Sequence, residues 1–290
     1  MNKIAETELI LNPDGSVYHL HLHPENIAET ILVVGDQERV AAISNRFDKV
    51  EFKMQNREFV THTGYIGNKR ITALSTGIGT DNIDIVVNEL DAAVNIDLKE
   101  RIAKKEHTAL NIIRIGTSGS LQADIPVDGF LLSTHGLGFD GLLNYYDVAN
   151  TDENEALVDA FIQHTNWKSN LPRPYLFEGS AKLISQLEKG MYKGITATAP
   201  GFYAPQGREL RLNAAMKNLN EQLTSFNYNG QRITNFEMET SALFGLGSAL
   251  GHNCATVCAI IGNRVTMQFS KDYKKVVEKL VDTVLERISA

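Results

Sequence analysis

The chain has 290 residues, enough for one large α/β domain or two small ones, and a folded chain of this size buries roughly 75% of its unfolded surface, so stability needs no staples. Lys and Arg total 28 against 35 Asp and Glu, and the net charge of −7 argues against electrostatic binding to nucleic acid or anionic membranes; any anion must be held locally. The only cysteines, Cys254 and Cys258, lie in an apolar stretch with too few neighbouring ligands for zinc and read as core thiols. The N-terminus has no basic region followed by an apolar core, and the uncharged stretch 240–263 is interrupted by glycines, Ser248, His252 and Asn253. A soluble, cytoplasmic protein is therefore expected.

In chain order, Ile31–Val34 reads as a short buried strand ending at Gly35, and 37–47 as a helix with Val40, Ala41 and Ile43 inward. Segments 58–65 and 69–75 flank Gly67-Asn68 as a hairpin, and the second strand runs into Gly77-Ile78-Gly79 and a helix from Asp81. Another strand, 110–115, ends at Gly116-Thr117-Ser118-Gly119. Further strands are predicted at 130–134, 195–199 and 255–261, with helices near 151–164, 207–224, 238–250 and 270–289. In the last helix Val277, Leu280, Val281, Val284 and Ile288 make one apolar stripe. No repeat or linker divides residues 1–290, which predicts one α/β domain with a mixed sheet and helices on both faces. The charged segment 99–107 reads either as an insertion or as a solvated helix extension.

Three strand ends share glycine with a polar or cationic neighbour: Gly35-Asp36 with Arg39, Gly77-Ile78-Gly79, and Arg114-Ile115-Gly116-Thr117. Ligands of open α/β sheets bind outside the carboxyl ends of strands, arginine's fork suits phosphate, and glycine lets backbone N–H groups approach an anion. Position 82 is Asn, so the dinucleotide fingerprint fails, and no glycine loop ends in Gly-Lys-Ser/Thr. His19, His21 and His23 would share one face of a strand, a pattern able to hold a transition metal. Glu237-Met238-Glu239 sets two carboxylates where a run free of Asp, Glu, Lys and Arg begins. Glutamate is rarely buried unpaired, so these acids need hydroxyls or positive charge.

Taken together, Tyr18-His19-Leu20, Val34 through Arg39, Asn56-Arg57-Glu58-Phe59, Ser75 through Gly79, Ile113 through Thr117, Phe202 through Arg208, and Asn235 through Glu239 resemble, in order and over nearly the whole chain, the nucleoside phosphorylase-I family and its uridine-cleaving branch. The resemblance implies a three-layer α/β/α fold of the phosphorylase/hydrolase type with a mixed central sheet. It also implies cleavage of the N-glycosidic bond of uridine by inorganic phosphate, giving uracil and ribose 1-phosphate. No metal catalysis and no organic cofactor are implied, and phosphate is a co-substrate. Gly35, Arg39, Arg114 and Thr117 are then expected to hold phosphate, with Arg57 entering from a neighbouring subunit. Thr117, Glu237, Met238 and Glu239 are expected around ribose, with His19 of that neighbour at the 5′-hydroxyl.

For the base, the resemblance implies Gln206 and Arg208 on the uracil edge, Phe202 and Gly119 packed beside it, and Arg264 bracing the loop. Arg114, Thr117, Gln206, Arg208 and Glu239 form the expected catalytic set. Purine-cleaving relatives carry an Asp where this chain has Asn263, which points to pyrimidines. The monovalent-cation site of some relatives matches Glu58, but Asn82 replaces its serine. Shared sites imply a homo-oligomer, at least a dimer and in some assemblies a hexamer. Two other readings share the fold: a nucleosidase using water, which has no need of three such arginines, and a non-catalytic nucleoside-binding protein.

Overall fold

A computed structural model describes residues 3–289. In chain order it contains β1 (Thr30–Val34), α1 (Gln37–Ser44), β2 (Lys49–Asn56), β3 (Phe59–Ile66), β4 (Lys69–Ser75), α2 (Thr80–Asn95), β5 (Ile96–Asp97), β6 (Ile102–Ala103) and β7 (Asn111–Ser120). There follow β8 (Phe130–Gly138), α3 (Asp152–Thr165), β9 (Tyr175–Glu178), α4 (Ala181–Leu187), β10 (Tyr192–Thr198), α5 (Leu219–Ser225), β11 (Asn227–Tyr228), β12 (Gln231–Glu237), α6 (Thr240–Ala249), β13 (Asn253–Asn263), β14 (Gln268–Phe269) and α7 (Tyr273–Ser289).

Residues alternate across a strand, and β1 shows the consequence: Ile31 and Val33 pack with α2 and α6 on one face, Leu32 and Val34 with α1, α4 and α7 on the other. The order β11-β12-β10-β8-β13-β7-β1-β4-β3-β2 mixes parallel pairs, such as β1 with β4 and β7, with antiparallel ones, such as β8 with β13. The expected three-layer mixed α/β architecture is therefore present. Beyond β7 the sheet curls until β12 pairs back onto it, Asn235 opposite Ser120 and Phe236 opposite Gly119. Both cysteines are buried, and burial pushes the Cys254 and Cys258 thiols up to about 12 and about 11. The five-residue stripe of α7 is buried as its spacing predicts. No helix among the described residues is long and apolar enough to cross a membrane.

Several expectations are corrected. β7 does not stop at Gly116 but runs on through Ser120, because β13 pairs with it to its end. In α1, Ala41 is exposed and Ser44 takes the inward position. The helix predicted over 207–224 shrinks to α5: Gly207 is left-handed (φ +68°), and Leu210 and Leu212 face solvent instead of forming a stripe. Segment 99–107 is not a helix extension; it contains β6, which pairs antiparallel with β5 just before it.

The histidine run is no strand. Glu89 of α2 accepts the backbone N–H groups of His19 and Leu20 at 2.8–2.9 Å, folding the segment into a turn in which His21 has φ +55°. His19 Nδ1 meets Glu89 at 2.6 Å, while His21 and His23 face Asp14 at 3.0 and 3.8 Å. The three imidazoles thus serve two different carboxylates.

Candidate active site

The carboxyl ends of β1, β4, β7, β12 and β13 open on one cavity of about 1350 Å³. Gly35 and Arg39 follow β1, Gly77 and Ile78 follow β4, and Arg114 through Gly119 belong to β7. Glu237 ends β12, Met238 and Glu239 lead from it into α6, and Arg264 follows β13. Phe202, Gln206 and Arg208 reach in from the loop after β10. The three glycine-bearing strand ends therefore converge. Arg57 and His19 do not line this cavity; Arg57 lies exposed in the β2–β3 turn, its guanidinium carbon 5.8 Å from the Tyr18 ring centre.

At the floor, the buried Arg114 guanidinium pairs with Glu239 through Nη2 and lies 3.4 Å from Glu237 through Nη1. Burial opposes its charge, but the two carboxylates more than offset this, so its pKa lies above the ordinary arginine value. Glycine at 116 is required here, because a Cβ would stand 1.8 Å from Arg114 Nη1. Arg39 donates to the Ile115 carbonyl at 3.2 Å; burial lowers its pKa, and Arg114 adds to that while Asp36 opposes it.

The two acids are not equivalent. Glu239 accepts from the Gly79 N–H at 2.8 Å and from Arg114, and its pKa is raised by burial and by Glu237 against the pull of Arg114. The Gly77-Ile78-Gly79 turn therefore holds a protein carboxylate, where sequence alone suggested a bound anion. Glu237 accepts from the Thr198 hydroxyl (2.7 Å) and from the N–H groups of Glu239 and Thr240 (3.0 Å each). Of the two roles open to Glu237, a second ribose contact or a charge paired with an arginine of the phosphate site, these fold donors and the 3.4 Å approach of Arg114 favour the second. Sequence reasoning singled out Gly79 and Gly116 as glycines of the strand-end turns but not these roles, and it missed Thr198. Thr198 carried no signal, being one apolar-strand threonine among several.

In the upper loop, Arg208 Nη1 donates to Gln206 Oε1 and to the Phe202 carbonyl, both at 2.6 Å. Burial and the neighbouring Arg264 push the Arg208 pKa down to about 10. Arg264 donates to the Gln206 carbonyl at 2.7 Å, so it braces the loop as expected. Asn263 gives both amide protons to the carbonyls of Gln122 and Ile125 (2.9 Å each) and accepts the N–H groups of Val265 and Thr266 (2.9 Å each). All its polar capacity is spent on backbone.

Away from the cavity, Asp91, His107 and His252 bring possible ligand atoms within 4.8 Å of one another. The Leu110 N–H donates to His252 Nδ1 at 3.2 Å, which leaves the ring proton on Nε2, the nitrogen 3.3 Å from Asp91. A metal needs that nitrogen's lone pair, and His107 Nε2 is already 2.9 Å from the Leu250 carbonyl, so the trio as arranged does not suit an ion.

A mixed sheet covered on both faces, with an arginine-bearing cavity outside its strand ends, agrees with the comparisons. The family model of the phosphorylase superfamily matches residues 29–288, and the chain belongs to that family. The chain is 28% identical over 281 residues to a uridine phosphorylase of Thermococcus kodakarensis, covering 95% of this chain and 87% of that protein. It is 29% identical over 286 residues to one of Haemophilus influenzae, covering 95% and 98%. Among solved structures, a Trypanosoma brucei nucleoside phosphorylase described as showing uridine phosphorylase activity superposes with a TM-score of 0.89. It is 27% identical, and the match covers 97% of this chain and 100% of that one.

Proposed function

We propose that the protein cleaves uridine with inorganic phosphate to uracil and ribose 1-phosphate. The observation that carries this reading is that the residues expected for anion, sugar and base line a single cavity: Arg39, Arg114 and Thr117, then Met238 and Glu239, then Phe202, Gln206 and Arg208. The similarity to proteins named uridine phosphorylases over nearly their full length supports it.

In this reading the C1′–N1 bond breaks with its electron pair leaving on uracil, and a phosphate oxygen bonds to C1′. Arg208 stabilises charge growing on O2, Gln206 reads the O4/N3 edge, and Arg39, Arg114 and Thr117 hold phosphate below the sugar. Glu239 accepts ribose hydroxyls and favours the cation-like ring. Glu237 serves Arg114. Exposed Arg57 and half-buried His19 complete the site from a second copy of the chain, which makes a dimer the smallest active unit.

Uracil release from uridine by the purified protein, with and without phosphate, tests this. Release is expected only with phosphate. Equal rates without it mean a nucleosidase, and tight uridine binding with no release means a binding protein.

A further inference from the structure

We infer that Thr198 and Glu237 are positioning residues that hold Arg114 at the seam between the phosphate and ribose halves of the cavity; the inference rests on the function proposed above. Thr198 sits at the end of β10, fully buried. Its hydroxyl oxygen accepts the Ser241 N–H at 2.9 Å, and its proton goes to Glu237 Oε1 at 2.7 Å, since a carboxylate has none to give. The N–H groups of Glu239 and Thr240 hold the same carboxylate at 3.0 Å. Its donors come from one strand end and the first turn of α6, so Glu237 has no freedom to turn. The network continues outward, because Ser241 Oγ lies 3.0 Å from the Tyr175 hydroxyl and 3.2 Å from Asp140.

Arg114 therefore stands between two unlike acids. Glu237 is fixed by the fold, whereas Glu239 is held by the Gly79 N–H and Arg114 alone and keeps lone pairs for substrate hydroxyls. A guanidinium with only Glu239 as partner would settle onto it, withdrawing the phosphate's cation from its place. Glu237 keeps the guanidinium plane turned so that phosphate meets a preset donor. Glu239 retains its Gly79 anchor in either case, so loss of the Thr198–Glu237 support is felt first by phosphate.

Two variants move the support without changing the charge of the site. Thr198→Val removes the hydroxyl at constant shape, and Glu237→Asp withdraws the carboxylate by one methylene. KM for phosphate and for uridine is measured separately for wild type, both variants and Thr198→Ser, alongside calorimetric titration of inorganic phosphate. The phosphate KM and Kd are expected to rise about tenfold or more in Thr198→Val and Glu237→Asp, the worth of a hydrogen bond to a charged group. The uridine KM stays near wild type, and Thr198→Ser restores phosphate affinity. The inference is overturned by unchanged phosphate affinity in both variants, by equal rises in both KM values, or by failure of Thr198→Ser to recover. Should Thr198→Val not fold, the split in Glu237→Asp decides. Should wild type release no uracil, the proposed function fails, while phosphate titration still judges the positioning role.

Discussion

The Arg208 guanidinium carbon lies 3.7 Å from the centre of the Phe202 ring, and the same side chain grips the Phe202 carbonyl and Gln206. Ring and backbone thus fix the cation from two sides before any base arrives. Arg208→Ala is expected to lower kcat/KM for uridine by roughly 100- to 1000-fold, the loss typical of a donor aimed at transition-state charge. Calorimetric phosphate affinity should stay near wild type. Equal losses in the two measurements mean that Arg208 does not read the base.

Asn263→Asp restores the residue type of purine-cleaving relatives, yet it should not bring purine cleavage. The new carboxylate would face the carbonyls of Gln122 and Ile125, which now accept the amide protons. A loss of about 1–3 kcal/mol in unfolding free energy is expected, with no phosphorolysis of inosine or adenosine. Urea unfolding and a purine-release assay check both halves.

Arg57 gives a test of shared sites. Arg57→Ala and Glu239→Gln should each be nearly inactive alone. Mixed at equal amounts under conditions that exchange subunits, they should recover roughly a quarter of wild-type sites, those pairing an intact Glu239 with an intact Arg57 from the partner. No recovery from hybrids confirmed by mass spectrometry would place Arg57 outside the reaction.

Asp91 carries a pH signature. Burial opposes its ionisation, but the His252 ring 3.3 Å away and the hydrogen bond from Asn95 at 2.7 Å outweigh burial and hold its pKa below the ordinary value. Such a group stabilises the fold fully above the unfolded-state pKa, and the contribution fades as pH falls through the lower folded value. Asp91→Asn should therefore cost about 1–2 kcal/mol near neutrality, with the gap to wild type closing below about pH 4. Unfolding followed across pH measures it; a gap that widens in acid contradicts the assignment.

The apolar runs of β1, β4 and β13 and the stripe of α7 are visible in the sequence because burial on both faces, or on one helical face, writes itself directly into residue type. β12 is not visible in that way. Its Thr234 and Asn235 are buried yet polar, and they bond to Ile195, Thr196 and Ser118, partners distant in the chain. β2 was legible and passed over: Lys49 to Asn56 alternates exposed and half-buried residues throughout. In the site, the convergence of three glycine-bearing strand ends follows from fold class alone. The division of labour between Glu237 and Glu239 does not, since two glutamates one residue apart look alike until Thr198 and the start of α6 are set beside one of them.

β7 pairs with β1, with β13 along its whole length, and with β12 at its end. Arg114 and Thr117 ride on this strand, whereas Phe202 and Arg208 ride on a loop with no regular structure between Gly207 and α5. Amide protons of the cavity floor can exchange with solvent only when the sheet as a whole opens, while those of the upper loop exchange through local excursions. In the proposed function, the phosphate end of the molecule is thus as durable as the fold itself, and drift in nucleobase preference has only a loop to rewrite.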